Sequence, residues 1–367
     1  MKTEKYKISN SQMMFMSISF IQGAHLTIGF MSDITGRDIW AAVIAAFLVS
    51  LIFISIYIKL AQKFSGKSLI QINDILYPGV IAKFISLVYI LFFFMIGVEN
   101  LVFTGRFILS YVLPETPLWV VVTMVNFVCG WAVLRGIEVI ARCCFLFSLI
   151  SASAVLVVTL LVAKDMDFSN LQPFFETSLK RFIQGAHVIA TIPFCEILVF
   201  LMLAPNIGDI KGMKKSILLG VSLSFIQLLV IAIRDVAVLG PLISIIVSPS
   251  FETTRVINIY QIITRLDILI AIVLIISMFV KISIFYYAVT KGLAELFKLN
   301  SYTYVIVPVG IVMINLSIMT FGSSAQSDYA AAHIWPSFAL LFEFIIPPVS
   351  LIIAQIKGMN KKREEVG

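Results

Sequence analysis

The sequence predicts an all-α polytopic membrane protein of about ten transmembrane helices, arranged as a 5+5 inverted repeat whose first and sixth helices are broken. Composition sets the class: 60% of the 367 residues are hydrophobic and 13% charged, against roughly 25% charged in soluble domains. Mean hydropathy is +1.03. Two apolar runs are flawed at comparable depth, one at Gln22-Gly23-Ala24-His25 and one at Thr191-Ile192-Pro193-Phe194-Cys195-Glu196. Small residues, polar residues and proline free backbone groups that hydrocarbon cannot satisfy, so such breaks belong beside a cavity. A pair of them leading two halves marks a transporter-type binding site.

Runs long enough to cross a bilayer fall at 11–31, 39–58, 79–113, 118–134 and 137–163, then at 182–204, 216–239, 266–288, 304–320 and 337–356. The whole chain, 1–367, reads as one integral membrane domain. Its first five-helix repeat is 11–163, and its second, inverted because five is odd, is 182–356. The third run is too long to stand upright and must tilt or protrude. Residues 66–78 are amphipathic and suit the inner interface. Residues 241–264 form either a short helix over the outer mouth or an irregular loop. The hexapeptide FIQGAH occurs at 20–25 and again at 182–187, but at different depths. The repeat therefore aligns better with Gly23-Ala24 opposite Pro193-Phe194.

Basic residues set the orientation. Lys2, Lys5 and Lys7, then Lys59, Lys63 and Lys67, then Lys211, Lys214 and Lys215, and the tail from Lys357 to Arg363, occupy one set of alternate loops. Both termini are expected in the cytoplasm. The same placement accounts for the +7 charge without a nucleic-acid partner. The basic start followed by an apolar run lacks a convincing cleavage site and reads as a retained first helix. Cys129, Cys143, Cys144 and Cys195 all lie in apolar runs and read as small fillers, not as a disulfide or metal set.

Ionisable groups inside spans are costly and mark function by default. Glu99 and Arg106, seven apart, share a face of the third span as a pair or a polar edge to a gate. Glu196, beside the second flaw, suits a ligand ammonium, a cation or a proton, or else bonds freed backbone. Lys281 either snorkels, reaches a ligand carboxylate or pairs with a buried acid. Glu343 lies in the tenth span and Asp267 at the start of the eighth. His25 titrates near neutrality or is held by backbone. No phosphate loop, nucleophile elbow or zinc pattern is present. The expectation is therefore no enzyme, no cofactor and no metal.

Asn170-Leu171-Gln172-Pro173, then Pro193-Phe194-Cys195-Glu196, then the stretch from Arg265-Leu266-Asp267 through Lys291-Gly292-Leu293 resemble the B-subunit permeases of bacterial spore germinant receptors, over nearly the whole chain. That family is part of the amino acid–polyamine–organocation superfamily. In it a second glycine is more usual where His25 stands. The resemblance implies a ten-helix inverted-repeat sensor of a small nutrient, commonly an amino acid. It implies a place in the spore inner membrane beside a membrane A subunit and a lipoprotein C subunit, with ligand binding triggering ion release and germination. The expected pocket lies between the broken helices. Free N–H groups near Gly23, Ala24 and His25 would receive a carboxylate, and Pro193, Phe194, Cys195 and Glu196 would form the opposite wall. Leu91, Met95 and Glu99 of the third span, with Met278, Lys281 and Phe285 of the eighth, would shape the side-chain end. The rival readings are an ion-coupled amino-acid transporter and an ion channel or structural subunit.

Overall fold

The computed structural model describes residues 7–24, 28–256, 266–320 and 322–358. The first span is divided, as its composition requires. Helix α1 (Asn10–Gln22) starts at a capping box in which the Ser9 hydroxyl accepts from the Gln12 backbone N–H and the Ser9 N–H donates to the Gln12 side chain; both are orphan donors satisfied at once. It ends at Gln22, Gly23 and Ala24 follow as a short 3₁₀ turn, and α2 (Ile28–Thr35) takes up the outer half. His25 lies outside the described residues. Just before α1, the Ile8 N–H donates to the Asn206 carbonyl at 2.7 Å and the Gly208 N–H to the Ile8 carbonyl at 3.0 Å. The start of the first span is thus stitched to the exit of the sixth. Beside this stitch Asp209 accepts from the Asn10 side chain at 2.8 Å. That bond, followed by the Gly212 and Lys211 amides, holds its carboxyl below the ordinary range.

Helix α3 (Ile39–Lys63) is followed by the amphipathic α4 (Leu69–Leu76), capped by Ser68. Helix α5 (Gly79–Tyr111) has 33 residues, about 50 Å at 1.5 Å per residue, so the over-long third run is one helix. Helices α6 (Leu118–Arg135) and α7 (Ile137–Leu161) complete the first half. The sixth span opens as α8 (Leu179–Ile189), passes through a π turn at Ala190–Phe194 and tightens to a 3₁₀ helix at Cys195–Met202. Pro193 is the cause: it has no N–H to return to the preceding turn. Helix α9 (Met213–Leu239), α10 (Pro249–Arg255), α11 (Leu266–Leu296) and α12 (Thr303–Met319) follow. The tenth span is α13 (Ser324–Tyr329), a π turn, α14 (Trp335–Ala339), a second π turn at Leu340–Ile345, and α15 (Ile346–Ile356).

Eight helices among the described residues are long and apolar enough to cross a membrane; α12 is a shorter apolar helix, and neither α1 nor α2 alone qualifies. The apolar windows of the sixth and eighth spans are 89% and 78% buried, against 33 to 44% for the other six. Those two spans form the axis of the bundle, and the rest present Leu48, Ile52, Phe84, Trp119, Phe127 and Leu156 outward, where lipid takes the place of water. Helix α5 packs along α11, and α6 along α12; α5 also meets α12 where α6 meets α11, and α1 packs on α9 where α3 packs on the sixth span. These reciprocal contacts are those of an inverted repeat.

The segment at 241–264 does form the short helix α10, and residues 257–265 lie outside the described residues. The segment is seated closely against α2. A Cβ on Gly29 of α2 would run into the Val247 carbonyl, so only glycine admits this contact. Helix α10 is anchored to α9 by a buried triad: Ser250 donates to Asp235 at 2.6 Å, and Asp235 accepts from Arg234 at 2.7 Å.

Candidate functional site

Lys281 joins the two breaks. Its Nζ lies 2.7 Å from Glu196 Oε2, and both side chains are almost fully buried. The same ammonium reaches the Ile192 carbonyl at 3.4 Å, in the π turn of the sixth span, and stands 5.7 Å from the centre of the Phe20 ring on α1. A Cβ on Gly23 would come within 3.1 Å of the Lys281 Cβ and Cδ and 3.2 Å of the Ser277 carbonyl. Gly23 therefore lets α1 close on the lysine stem. Of the three roles open to Lys281 in the sequence, pairing with a buried acid is the one found, and snorkelling is excluded by its burial.

The expectation that Gly23 and Ala24 offer free N–H groups to a carboxylate is revised. Both lie at the C-terminal end of α1, where the helix dipole favours a cation, and Lys281 packs there. The N–H groups that a helix leaves without an intrahelical partner lie, at this break, in the first turn of α2. Phe194 and Cys195 are buried on the sixth span, with the Phe194 ring 5.9 Å from Phe47. Phe285 is buried and touches Phe20 at 5.5 Å and Phe93 at 6.1 Å. Glu99 lies within electrostatic reach of Glu196 and Lys281. Arg106 lines an outer cleft with Asp328. Met278 is fully buried on α11 and Met95 half-buried on α5. Leu91 does not belong to the cluster: it is 52% exposed on the outside of α5. Each step of four residues turns about 40° around a helix, so Leu91 points about 80° away from Glu99.

Glu343 is the residue that reading by span depth placed in the tenth helix without assigning it to the site. It is fully buried, on the second π turn, and within electrostatic reach of Glu196 and Lys281. The sequence signal is the following Pro347-Pro348. An α-helical N–H at 347 would bond the Glu343 carbonyl, and a π-helical one the Phe342 carbonyl. Tyr57 of α3 and Tyr89 of α5 supply the missing donors, to Glu343 O at 2.7 Å and Phe342 O at 2.9 Å.

The centre is filled by this chain's own groups: the Lys281–Glu196 pair and the rings of Phe20, Phe200 and Phe285. A cavity of about 510 Å³ is lined by Asn206, Tyr287, Lys291 and Glu295, and one of about 440 Å³ at the opposite end of the bundle by Gly29, Asp33, Val247, Asp328 and His333.

A family model described as spore germination protein matches residues 7–324. Spore germination protein KB of Bacillus subtilis (strain 168) is 28% identical over 99% of this chain and 97% of its own length. Spore germination protein XB of Bacillus anthracis is 24% identical over 90% and 92%. Among solved structures, a nucleobase-cation-symport-1 family transporter, closed with bromovinylhydantoin bound, superposes with a TM-score of 0.69 at 11% identity, covering 95% of this chain and 78% of that one. The transporter MhsT in complex with L-phenylalanine superposes with a TM-score of 0.60 at 14% identity, covering 92% and 98%. A Na+-coupled sialic acid symporter in a substrate-bound outward-open state gives 0.59 at 12% identity, covering 90% and 79%. The fold of the chain is that of these transporters.

Proposed function

The chain belongs to the spore germination protein family, and from that premise we propose that it is the nutrient-sensing subunit of a germinant receptor, with an amino acid as ligand. The observation that carries this reading is the ion pair in the gap between the broken spans. An ammonium and a carboxylate of the chain itself stand there, matched to each other as they would match the opposite charges of an amino acid. A ligand carboxylate competes for Lys281 and the first turn of α2, and a ligand ammonium competes for Glu196 and the C-terminal end of α1. Binding then favours the arrangement in which Lys281 and Glu196 part, which is the differential contact a signal requires.

In this reading the chain works in the spore inner membrane with both termini in the cytoplasm. Its partners are a membrane A subunit and a lipoprotein C subunit, and ligand binding leads to ion release. The repeats run 11–163 and 182–356, a division supported by the reciprocal helix contacts. The test is the nutrient dose–response of spores carrying Gly23→Leu or Phe194→Ala with the receptor still assembled. Both variants are expected to shift it, and an unchanged response in both would refute the placement.

The second reading is an ion-coupled amino-acid transporter, favoured by the likeness to the Na+-coupled sialic acid symporter. Fold does not separate the two. Radiolabelled amino-acid uptake into proteoliposomes does: sustained accumulation against a gradient supports transport, and saturable binding without accumulation supports sensing.

A further inference from the structure

Glu343 presents a problem that neither reading uses. Both of its carboxylate oxygens are buried without a hydrogen-bond partner among the described residues. Every packed element brings a group toward it. Tyr57 comes from α3, Tyr89 from α5, Cys195 and Glu196 from the sixth span, and Lys281 from α11. The two phenols are committed to main-chain carbonyls, Tyr57 to that of Glu343 itself and Tyr89 to that of Phe342. The single ammonium in reach is committed to Glu196 at 2.7 Å. A second ionised carboxylate in this buried centre would have neither counter-charge nor donor among the described residues, the most expensive state a buried acid can take.

We propose that Glu343 is a proton-binding site, its carboxyl uncharged while Lys281 is paired with Glu196. Two carboxylates share one ammonium, so a proton occupies the one the lysine leaves. When Lys281 turns from Glu196 to Glu343, the Glu343 O–H bond breaks and the proton passes through entering water to Glu196, so the two carboxyls exchange roles. Movement of Lys281 between the two acids is thereby linked to transfer of one proton between them, whether the chain senses or transports.

The test is an infrared pH titration of the purified chain in lipid, following the C=O stretch of a protonated carboxylic acid, together with thermal stability across the same pH range. A folded state that keeps a proton the unfolded chain loses grows less stable as pH rises above about 4.3, where a free glutamate ionises. The wild type is expected to show the acid band at neutral pH and to lose stability as pH rises. Glu343→Gln, isosteric with the neutral acid, is expected to fold, to lack that part of the band and to have a flatter stability profile. An acid band of undiminished intensity in Glu343→Gln overturns the proposal. If that variant does not fold, absence of any protonated-acid band in the wild type at neutral pH overturns it equally. A metal cation in place of the proton is the other outcome to exclude. Stabilisation by NaCl or KCl over choline chloride in the wild type, lost in Glu343→Gln, would overturn the proton assignment. None of this depends on the nutrient reading, which stands or falls by the dose–response of the Gly23 and Phe194 variants.

Discussion

The sixth and tenth spans are interrupted by the same residue type and resolve the interruption in opposite ways. At Pro193 the chain relaxes through a π turn into a 3₁₀ helix, and the Ile192 carbonyl and Glu196 both turn to Lys281. At Pro347-Pro348 the freed carbonyls are taken by neutral phenols, and Glu343 is left without a cation of its own. In these two spans proline decides where the helix opens. What answers the opening decides whether the site holds a charge.

The largest expected break in this contrast is Lys281→Met, which strands Glu196 in the centre. Removing one partner of a buried pair costs about 3–5 kcal/mol, read as lost thermal stability of the detergent-purified chain. Adding Glu196→Gln should restore most of it, and a double variant no better than the single one would contradict the pairing. Next in size is Tyr57→Phe, which leaves the Glu343 carbonyl buried and unbonded at a cost of about 1–3 kcal/mol. Tyr89→Phe should cost a similar amount through Phe342, whereas equal stability of both variants to the wild type would mean that water serves these carbonyls. Smallest is Pro193→Ala. If Lys281 and Glu196 hold open the break that Pro193 begins, restoring the N–H changes stability by only about 1 kcal/mol. A gain approaching the ~3 kcal/mol that separates alanine from proline in a helix interior would show that the ring alone keeps it open.

The span pattern, the two breaks and the long third helix were legible because hydropathy and helix-breaking residues act locally. The short helix at 249–255 was half-legible, since Pro249 suits a first turn but nothing nearby reveals what it packs on. Pairing was not legible. Lys281 and Glu196 are 85 residues apart, and only the crossing of α11 with the sixth span joins them. Leu91 was placed in the pocket by spacing alone, which ignores how a straight stripe drifts around a 33-residue helix. Glu343 carried a readable signal in the two prolines after it, but its isolation depends on where Tyr57 and Tyr89 point, which tertiary packing sets.

The short stitch between Ile8 and the Asn206–Gly208 segment constrains how such a molecule can move. Two main-chain bonds tie the start of the first span to the end of the sixth, so those ends cannot splay apart unless the bonds tear. Any rocking of the pair must swing them as one lever, with the play confined to their opposite halves.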